Sequence, residues 1–392
     1  MQLARVTIKK GRDKSILRGN PWIFSGSVKS IDNFERNGQL CEIVSSQNDF
    51  LAIGYVNPES NICCRILAWK QIPVDRNFIE GKMLQAVSFR TSAISKDTDA
   101  YRLVNSEGDF LPGLVIDRYG DGVVIQILTC GMELLRDNII SAVRNILKPS
   151  FIVERSDTAS RLDEGLDYKC EILFGSVPDL VEIMENGIRF RVDLLRGQKT
   201  GFYLDQRDSR FLIRRFCSGK RVLNLFSYTG GFSAAAASAQ ASEVTSVDSS
   251  EAALRLAKEN MEINGYGSLS CDYIKADVFD YLDSSGDLWD VIVLDPPAFA
   301  SKKASVEKAA RGYKDINLRA LKKLNPGGVL ATFSCSHHIT PVLFGQIVYA
   351  AVSDSGRKAQ IITRTAHQPD HPVNVCHREG EYLKGIFLRV IE

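Results

Sequence analysis

From about residue 181 onward, short apolar runs alternate with helical periods: "RVLNLF", "SAAAASAQA", "EVTSVD", "SEAALRLAKENMEING", "WDVIVLD", "YKDINLRALKKLN" and "GGVLATFSCS". Strands separated by helices cannot pair as tight hairpins, so this order requires crossover connections and a mostly parallel sheet with helices on both faces. Runs such as "VIVL" have no polar alternation, as expected of central strands covered on both sides. In such a sheet the ligand sits beyond the carboxyl ends of the strands, so the residues that end each strand are where chemistry is expected.

Those ends are informative. "VLNLF" runs into "SYTGGFS" and an alanine-rich helix. Gly230 and Gly231 would let the backbone pass close under a ligand, and Ala234 to Ala237 would let the helix pack tightly on the sheet. The next strand ends at Asp248, whose carboxylate can accept both hydroxyls of a ribose. The loop lacks the G-x-G-x-x-G spacing of a dinucleotide site, which favours a nucleoside without phosphates and disfavours a nicotinamide-dependent oxidoreductase. "DYIKAD" offers Asp277 about where an adenine amino group would lie, and "VIVLDPP" puts Asp295 at the tip of a central strand, with prolines fixing the turn after it. Taken singly, each acid reads as a helix cap or turn former; together the strand ends point to one ligand site.

The chain is 392 residues long, enough for two or three domains. Residues 1–72 hold short β-type runs, "ARVTI", "PWIFSG", "QLCEIVSS", "FLAIGYVN" and "NICCRIL", the pattern of a small all-β module. Residues 73–180 combine the helical period of "PVDRNFIEGKMLQAVSFRTSAI" with paired strands in "LVNSEGDFLPGLVIDRYGDGVVIQIL", an α+β central domain. Residues 181–392 form the last domain. A net charge of +2 decides little, but the first thirty residues carry Arg5, Lys9, Lys10, Arg12, Lys14, Arg18 and Lys29 against Asp13 alone. Such a patch attracts phosphate backbones or serves as a solvated face. Nine cysteines without a CxxC pair read as reduced thiols. No apolar run reaches the length of a membrane span, and "MQLARVTIKKGRDKS" lacks a signal-peptide core, so the expected location is the cytoplasm.

The strand-end pattern resembles the class I S-adenosylmethionine-dependent methyltransferases, with a Rossmann-like α/β domain. The motifs "GQKTGFYLDQRDSR", "NLFSYTGGFS", "DPPAFASKK", "RGYKDIN", "TFSCS" and "DHPV...GEYLKGIFLRV" narrow the resemblance to the ribosomal RNA large-subunit methyltransferase I family, cytosine carbon-5 methyltransferases of bacterial 23S rRNA. It covers essentially the whole chain, including a PUA-like module at "ILRGNPWIFSGSV" and a central domain at "RLVNSEGDFLPGLVIDRYGD". The resemblance implies S-adenosyl-L-methionine as cofactor, held around Phe226, Tyr228 and Gly230, with Asp248 on its ribose, Asp277 near its adenine and Asp295 beside it. Asp205 and Arg207 would lie at the mouth of the cofactor site, with Lys199 to Tyr203 as a strand edge covering it.

Carbon 5 of cytosine is a poor nucleophile until something adds to carbon 6, and a thiolate does this well. Cys335, at a strand end, is the candidate nucleophile; Asp295 in its acid form is the candidate donor near ring nitrogen 3. The base that removes the carbon-5 proton is not identified, since "DPPAF" lacks the second cysteine that two-cysteine RNA methyltransferases carry there. A buried filler is the alternative reading of Cys335. Zinc is disfavoured, because Cys335, His337, His338, Cys376 and His377 lack paired spacing, and Pro369 separates His367 from His371; no metal is expected. Lys9, Lys10, Arg12, Arg18, Lys302 and Lys303 are candidate RNA contacts, with Lys308, Arg311 and Lys314 following; Trp22 and Phe24 are stacking candidates or core aromatics. Two other readings remain open: methylation of a guanine ring nitrogen or exocyclic amine of rRNA, and a non-catalytic RNA-binding assembly factor. The modified nucleotide, naked rRNA against an assembling subunit, and oligomeric state, a homodimer included, are not fixed by the sequence.

Overall fold

A computed structural model describes residues 2–299 and 305–392 of the protein. Three main sheets and a hairpin make up its β-structure. The chain divides into two compact units: Met1–Val181 with Val192–Leu204 and Pro369–Gly380, and Glu182–Arg191 with Asp205–Gln368 and Glu381–Glu392.

In the first unit, six strands lie in the spatial order Trp22–Phe24, Ile62–Ala68, Phe50–Val56, Gln39–Val44, Ala4–Ile8 and Val28–Asp32. Inward residues such as Val6 and Ile43 are fully buried and alternate with half-exposed ones, the period-2 pattern of strands with one wet face, whereas Phe50–Val56 and Ile62–Ala68 are buried at nearly every position. Five further strands follow in the order Lys169–Gly175, Phe151–Ser156, Gly122–Ile127, Leu114–Tyr119 and Ala100–Asn105, packed under the helices Arg76–Ala93 and Arg136–Leu147. Lys199 to Tyr203 is not the expected strand edge. These residues form turns and bends, with Lys199 at φ 56° and Gly201 at φ 129°, both outside the β region. Thr200 donates to Asp117 (2.6 Å), and Tyr119 Oη bonds Thr200 Oγ1 (2.8 Å) and accepts from Phe202 N (3.2 Å). The segment Pro369–Gly380 also belongs to this unit, through the Arg102 amide donating to the buried Asp370 carboxylate and Arg90 donating to its carbonyl.

The second unit is built on seven strands in the order Ser270–Lys275, Glu243–Asp248, Arg221–Leu225, Trp289–Leu294, Leu324–Ser334, Lys384–Val390 and Ala359–Thr365. The first five are parallel; the last two run antiparallel. Two antiparallel strands at one edge were not evident from the helix–strand alternation, because no helical period separates them. Val291 to Leu294 are all at most 1 % exposed, as an unbroken apolar run in a central strand requires. The helix Glu251–Ile263 buries Ala253, Leu254, Ala257 and Met261 at helical spacing and is capped by Ser250, whose hydroxyl accepts from Ala253 N. The hairpin Val181–Glu185 and Ile188–Val192 turns on Asn186 and Gly187, both at positive φ, the geometry Asn-Gly favours.

Candidate functional site

The strand Arg221–Leu225 ends in a loop of unusual backbone. Phe226 (φ 56°), Tyr228 (φ 47°) and Gly230 (φ 79°) are all left-handed, and two of them carry side chains that make this conformation costly. The loop is held from the neighbouring strand: Ser227 N donates to the Val247 carbonyl (3.1 Å), and Tyr228 N donates to Asp248 Oδ2 (2.8 Å). Asp248 Oδ1 accepts from Ser250 N (2.8 Å). Both oxygens of Asp248 are therefore fixed in place, and each keeps a second lone pair for another donor. A Cβ on Gly230 would lie 2.9 Å from the Ala257 Cβ, so the close approach that glycine permits is to the helix Glu251–Ile263. Within this cradle the buried hydroxyls of Ser227 and Thr229 have no hydrogen-bond partner among the described residues. Orphaned buried polar groups are costly, which suits a polar ligand completing them.

Asp277 is exposed and caps the helix Val278–Ser284, Oδ1 accepting from Phe279 N (2.8 Å) and Asp280 N (3.2 Å). It thus has a structural role in addition to any contact with a ligand at this edge. Asp295 follows the strand Trp289–Leu294 and is half-buried; Gln206 Nε2 donates to its Oδ2 (3.1 Å). Gln206 is 2 % exposed and lies between the two residues the sequence singled out. Asp205 is itself buried, its carboxylate accepting from the Tyr382 hydroxyl (2.8 Å) and its carbonyl from Gln368 Nε2 (2.6 Å). Arg207, 4 % exposed, lies near the Asp208 carboxylate (3.5 Å).

Cys335 follows the strand Leu324–Ser334, which pairs in parallel with Trp289–Leu294 up to Leu294 and Thr332. Asp295 and Cys335 thus sit just beyond the carboxyl ends of adjacent strands, with Asp295 level with Phe333 in the register and Cys335 two residues further along. Tyr313, fully buried on the helix Val306–Lys322, connects the two turns: its hydroxyl bonds Ser336 Oγ (3.1 Å) and donates to the Pro297 carbonyl (3.5 Å), while its ring lies against Phe299 (4.6 Å between centroids). Burial raises its pKa, so the phenol stays protonated. Lys384 pairs with Ser334 across the antiparallel ladder, is 6 % exposed, and its Nζ donates to the Ser336 carbonyl (2.6 Å). Gln206, Tyr313 and Lys384 carry no signal of a role in the sequence: a lone glutamine or tyrosine in a helical period reads as core, and a lysine in an apolar strand reads as an outward-facing edge residue.

The basic residues of the first unit lie as follows. Lys9, Lys10, Arg12 and Arg18 are exposed, Lys9 Nζ donating to the Gly26 carbonyl (3.0 Å). Trp22 is half-buried, its indole N–H donating to Glu107 (2.8 Å) and its ring set edge-on to His377 (4.3 Å). Phe24 is 50 % exposed. Lys308 and Arg311 are exposed, whereas Lys314 pairs with Asp354 (2.5 Å). Lys302 and Lys303 lie outside the described residues. Among the described residues no group of three or more His, Cys, Asp or Glu is placed to hold a metal, and no helix is long and apolar enough to cross a membrane.

Comparison with known proteins gives the family. The S-adenosylmethionine-dependent methyltransferase family matches residues 161–372, and a PUA-like domain matches residues 6–69. The chain is 44 % identical over 393 residues to ribosomal RNA large subunit methyltransferase I of Klebsiella pneumoniae, covering 99 % of this chain and 98 % of that one. It is also 44 % identical to the protein of that name from Tolumonas auensis, with 98 % and 99 % covered. Among solved structures, a putative SAM-dependent methyltransferase from Streptococcus mutans superposes with a TM-score of 0.84 at 26 % identity, covering 99 % of this chain and all of that one. A putative methyltransferase complexed with SAH gives 0.85 at 28 % identity, with both chains fully covered. With its glycine-loop cradle, its acidic strand ends and this likeness over its whole length, the chain belongs to the ribosomal RNA large subunit methyltransferase I family of S-adenosylmethionine-dependent methyltransferases with a PUA-like domain.

Proposed function

We propose that the protein methylates carbon 5 of a cytosine in 23S ribosomal RNA through a transient bond between Cys335 and carbon 6. The observation that carries this reading is the pairing of an acid and a thiol at adjacent strand ends, Asp295 and Cys335, with Tyr313 bonded to the turns that follow both. S-adenosylmethionine, the cofactor, supplies an electrophilic methyl group. Phe226, Tyr228, Gly230 and Asp248 would hold it, the carboxylate taking the ribose hydroxyls; the orphaned Ser227 and Thr229 hydroxyls fit a polar ligand there.

The chain's own residues then act on the base. The Cys335 sulfur donates an electron pair to carbon 6, forming an S–C bond, while the carbon 5–carbon 6 π pair shifts into the ring. Asp295 protonates nitrogen 3 as charge develops there, and the Gln206 amide donating to Oδ2 helps to orient its carboxyl group. The resulting enamine is nucleophilic at carbon 5. After methylation the carbon-5 proton passes to water, its electron pair restores the ring double bond, the S–C bond breaks and the thiolate leaves; nitrogen 3 returns its proton to Asp295. A stacked cytosine must leave its neighbours for this to happen. The exposed Lys9, Lys10, Arg12 and Arg18 of the PUA-like domain are suited to backbone phosphates, and Phe24 offers a freer stacking surface than the anchored Trp22.

The test is methylation of rRNA from a strain lacking the protein, with a tritiated methyl donor and the product identified as 5-methylcytosine. Cys335→Ala is expected to abolish transfer, by more than about 10³-fold, since covalent assistance is removed. Full transfer by Cys335→Ala, or a product methylated on an amine or on guanine, would overturn the reading.

A further inference from the structure

A lysine inside a protein needs a reason, because its ammonium loses hydration there. Lys384 is 6 % exposed, in a strand whose other residues from Lys384 to Leu388 are also buried. Its backbone stands opposite Ser334, the residue before Cys335, and its Nζ binds the carbonyl of Ser336, the residue after. One ammonium thus spans the tripeptide that carries the thiol. The Ser336 carbonyl also accepts from Ile339 N (3.2 Å), so the turn that presents Cys335 is tied at the atom Lys384 holds.

We infer that Lys384 is the positioning cation of the active site, holding Cys335 in its thiolate form while fixing the turn that aims it. The inference rests on the reading of Cys335 as nucleophile. Its physical basis is reciprocity. Burial lowers the Lys384 pKa to about 8, and the nearby Cys335 charge raises it against that trend. Coupling between two titrating groups is mutual, so the same interaction that favours the ammonium favours the thiolate. Tyr313, from the helix Val306–Lys322, also faces Cys335 but stays neutral; Asp295 at the adjacent strand end would oppose the thiolate if ionised, and is the acid in the proposed reaction. His337, two residues on, is exposed and packs against Tyr382 (5.4 Å between centroids). Below pH 8 the amine is charged and the pair works; above it the amine loses its proton and the electrostatic support fades. A buried ammonium with a pKa near the working pH is suited to this task, being charged when the thiol must ionise.

The test reads the thiol directly. The rate of Cys335 alkylation by iodoacetamide, followed peptide by peptide by mass spectrometry on the full-length protein, is measured from pH 5.5 to 10 for the wild type, Lys384→Met and Lys384→Arg. The wild-type inflection is expected below about 8.5, the ordinary thiol value. Lys384→Met should raise it by a unit or more, cutting alkylation at pH 7 by about tenfold, and Lys384→Arg should restore a low value. A wild-type inflection at or above the ordinary value, which needs no variant, overturns the inference, as does an unchanged inflection in a folded Lys384→Met. If Cys335→Ala methylates normally while Cys335 titrates low beside Lys384, the catalytic reading has failed and the electrostatic pairing has not.

Discussion

At the scale of single residues, the site is made of side chains that each serve two purposes. Asp248 fixes the glycine loop through Tyr228 N and begins the next helix through Ser250 N, yet retains acceptor capacity for a ribose. On the proposed reading, replacing it by alanine removes the ribose acceptor and frees the loop. Charge-assisted hydrogen bonds are worth about 1.5–3 kcal/mol, so calorimetric affinity for S-adenosylmethionine is expected to fall by roughly 10- to 150-fold. Asp248→Asn, which keeps one acceptor oxygen, should lose less; equal affinities for the wild type and Asp248→Ala would take Asp248 out of the cofactor site. Asp248 and Cys335 were candidates from the sequence because chemistry restricts which residue types end such strands. Gln206 was not: its relevance comes from its 3.1 Å approach to Asp295, eighty-nine positions away.

At the scale of elements, the alternation of apolar strands and amphipathic helices identified the parallel part of the sheet, since period and burial are properties of each segment alone. It did not identify the antiparallel edge. Lys384–Val390 is apolar because it is covered on both faces, but its direction and its partner Leu324–Ser334 depend on the chain's return path. The hairpin Val181–Glu185 and Ile188–Val192 is tied to the helix Arg207–Ile213 by a bidentate pair between Arg210 and Glu185, two bonds of 2.6 Å with both side chains at most 5 % exposed. Breaking one side of a buried pair strands the other charge, so Arg210→Leu should destabilise the second unit by about 3–5 kcal/mol. Adding Glu185→Leu to it should recover much of that loss. Denaturant unfolding of the three proteins checks both, and a double variant no more stable than Arg210→Leu would count against the explanation.

At the scale of the whole molecule, the charge pattern of the first thirty residues has a measurable consequence. If Lys9, Lys10, Arg12 and Arg18 meet RNA phosphates, each releases counterions on binding. Replacing all four by alanine should weaken binding almost equally across RNA sequences and reduce the slope of log K against log salt by about 0.7 per lost contact, roughly 3 in all. An unchanged slope would make the patch a solvated face. The sequence by itself determined the class of fold, the family and the cofactor, because each rests on residue types and spacings that local physics constrains. Only the tertiary structure decided that Lys199 to Tyr203 is a turn, that Pro369–Gly380 packs in the first unit, and that a buried lysine lies against the turn carrying Cys335. Those facts depend on which distant segments meet, and close packing settles that for the chain as a whole.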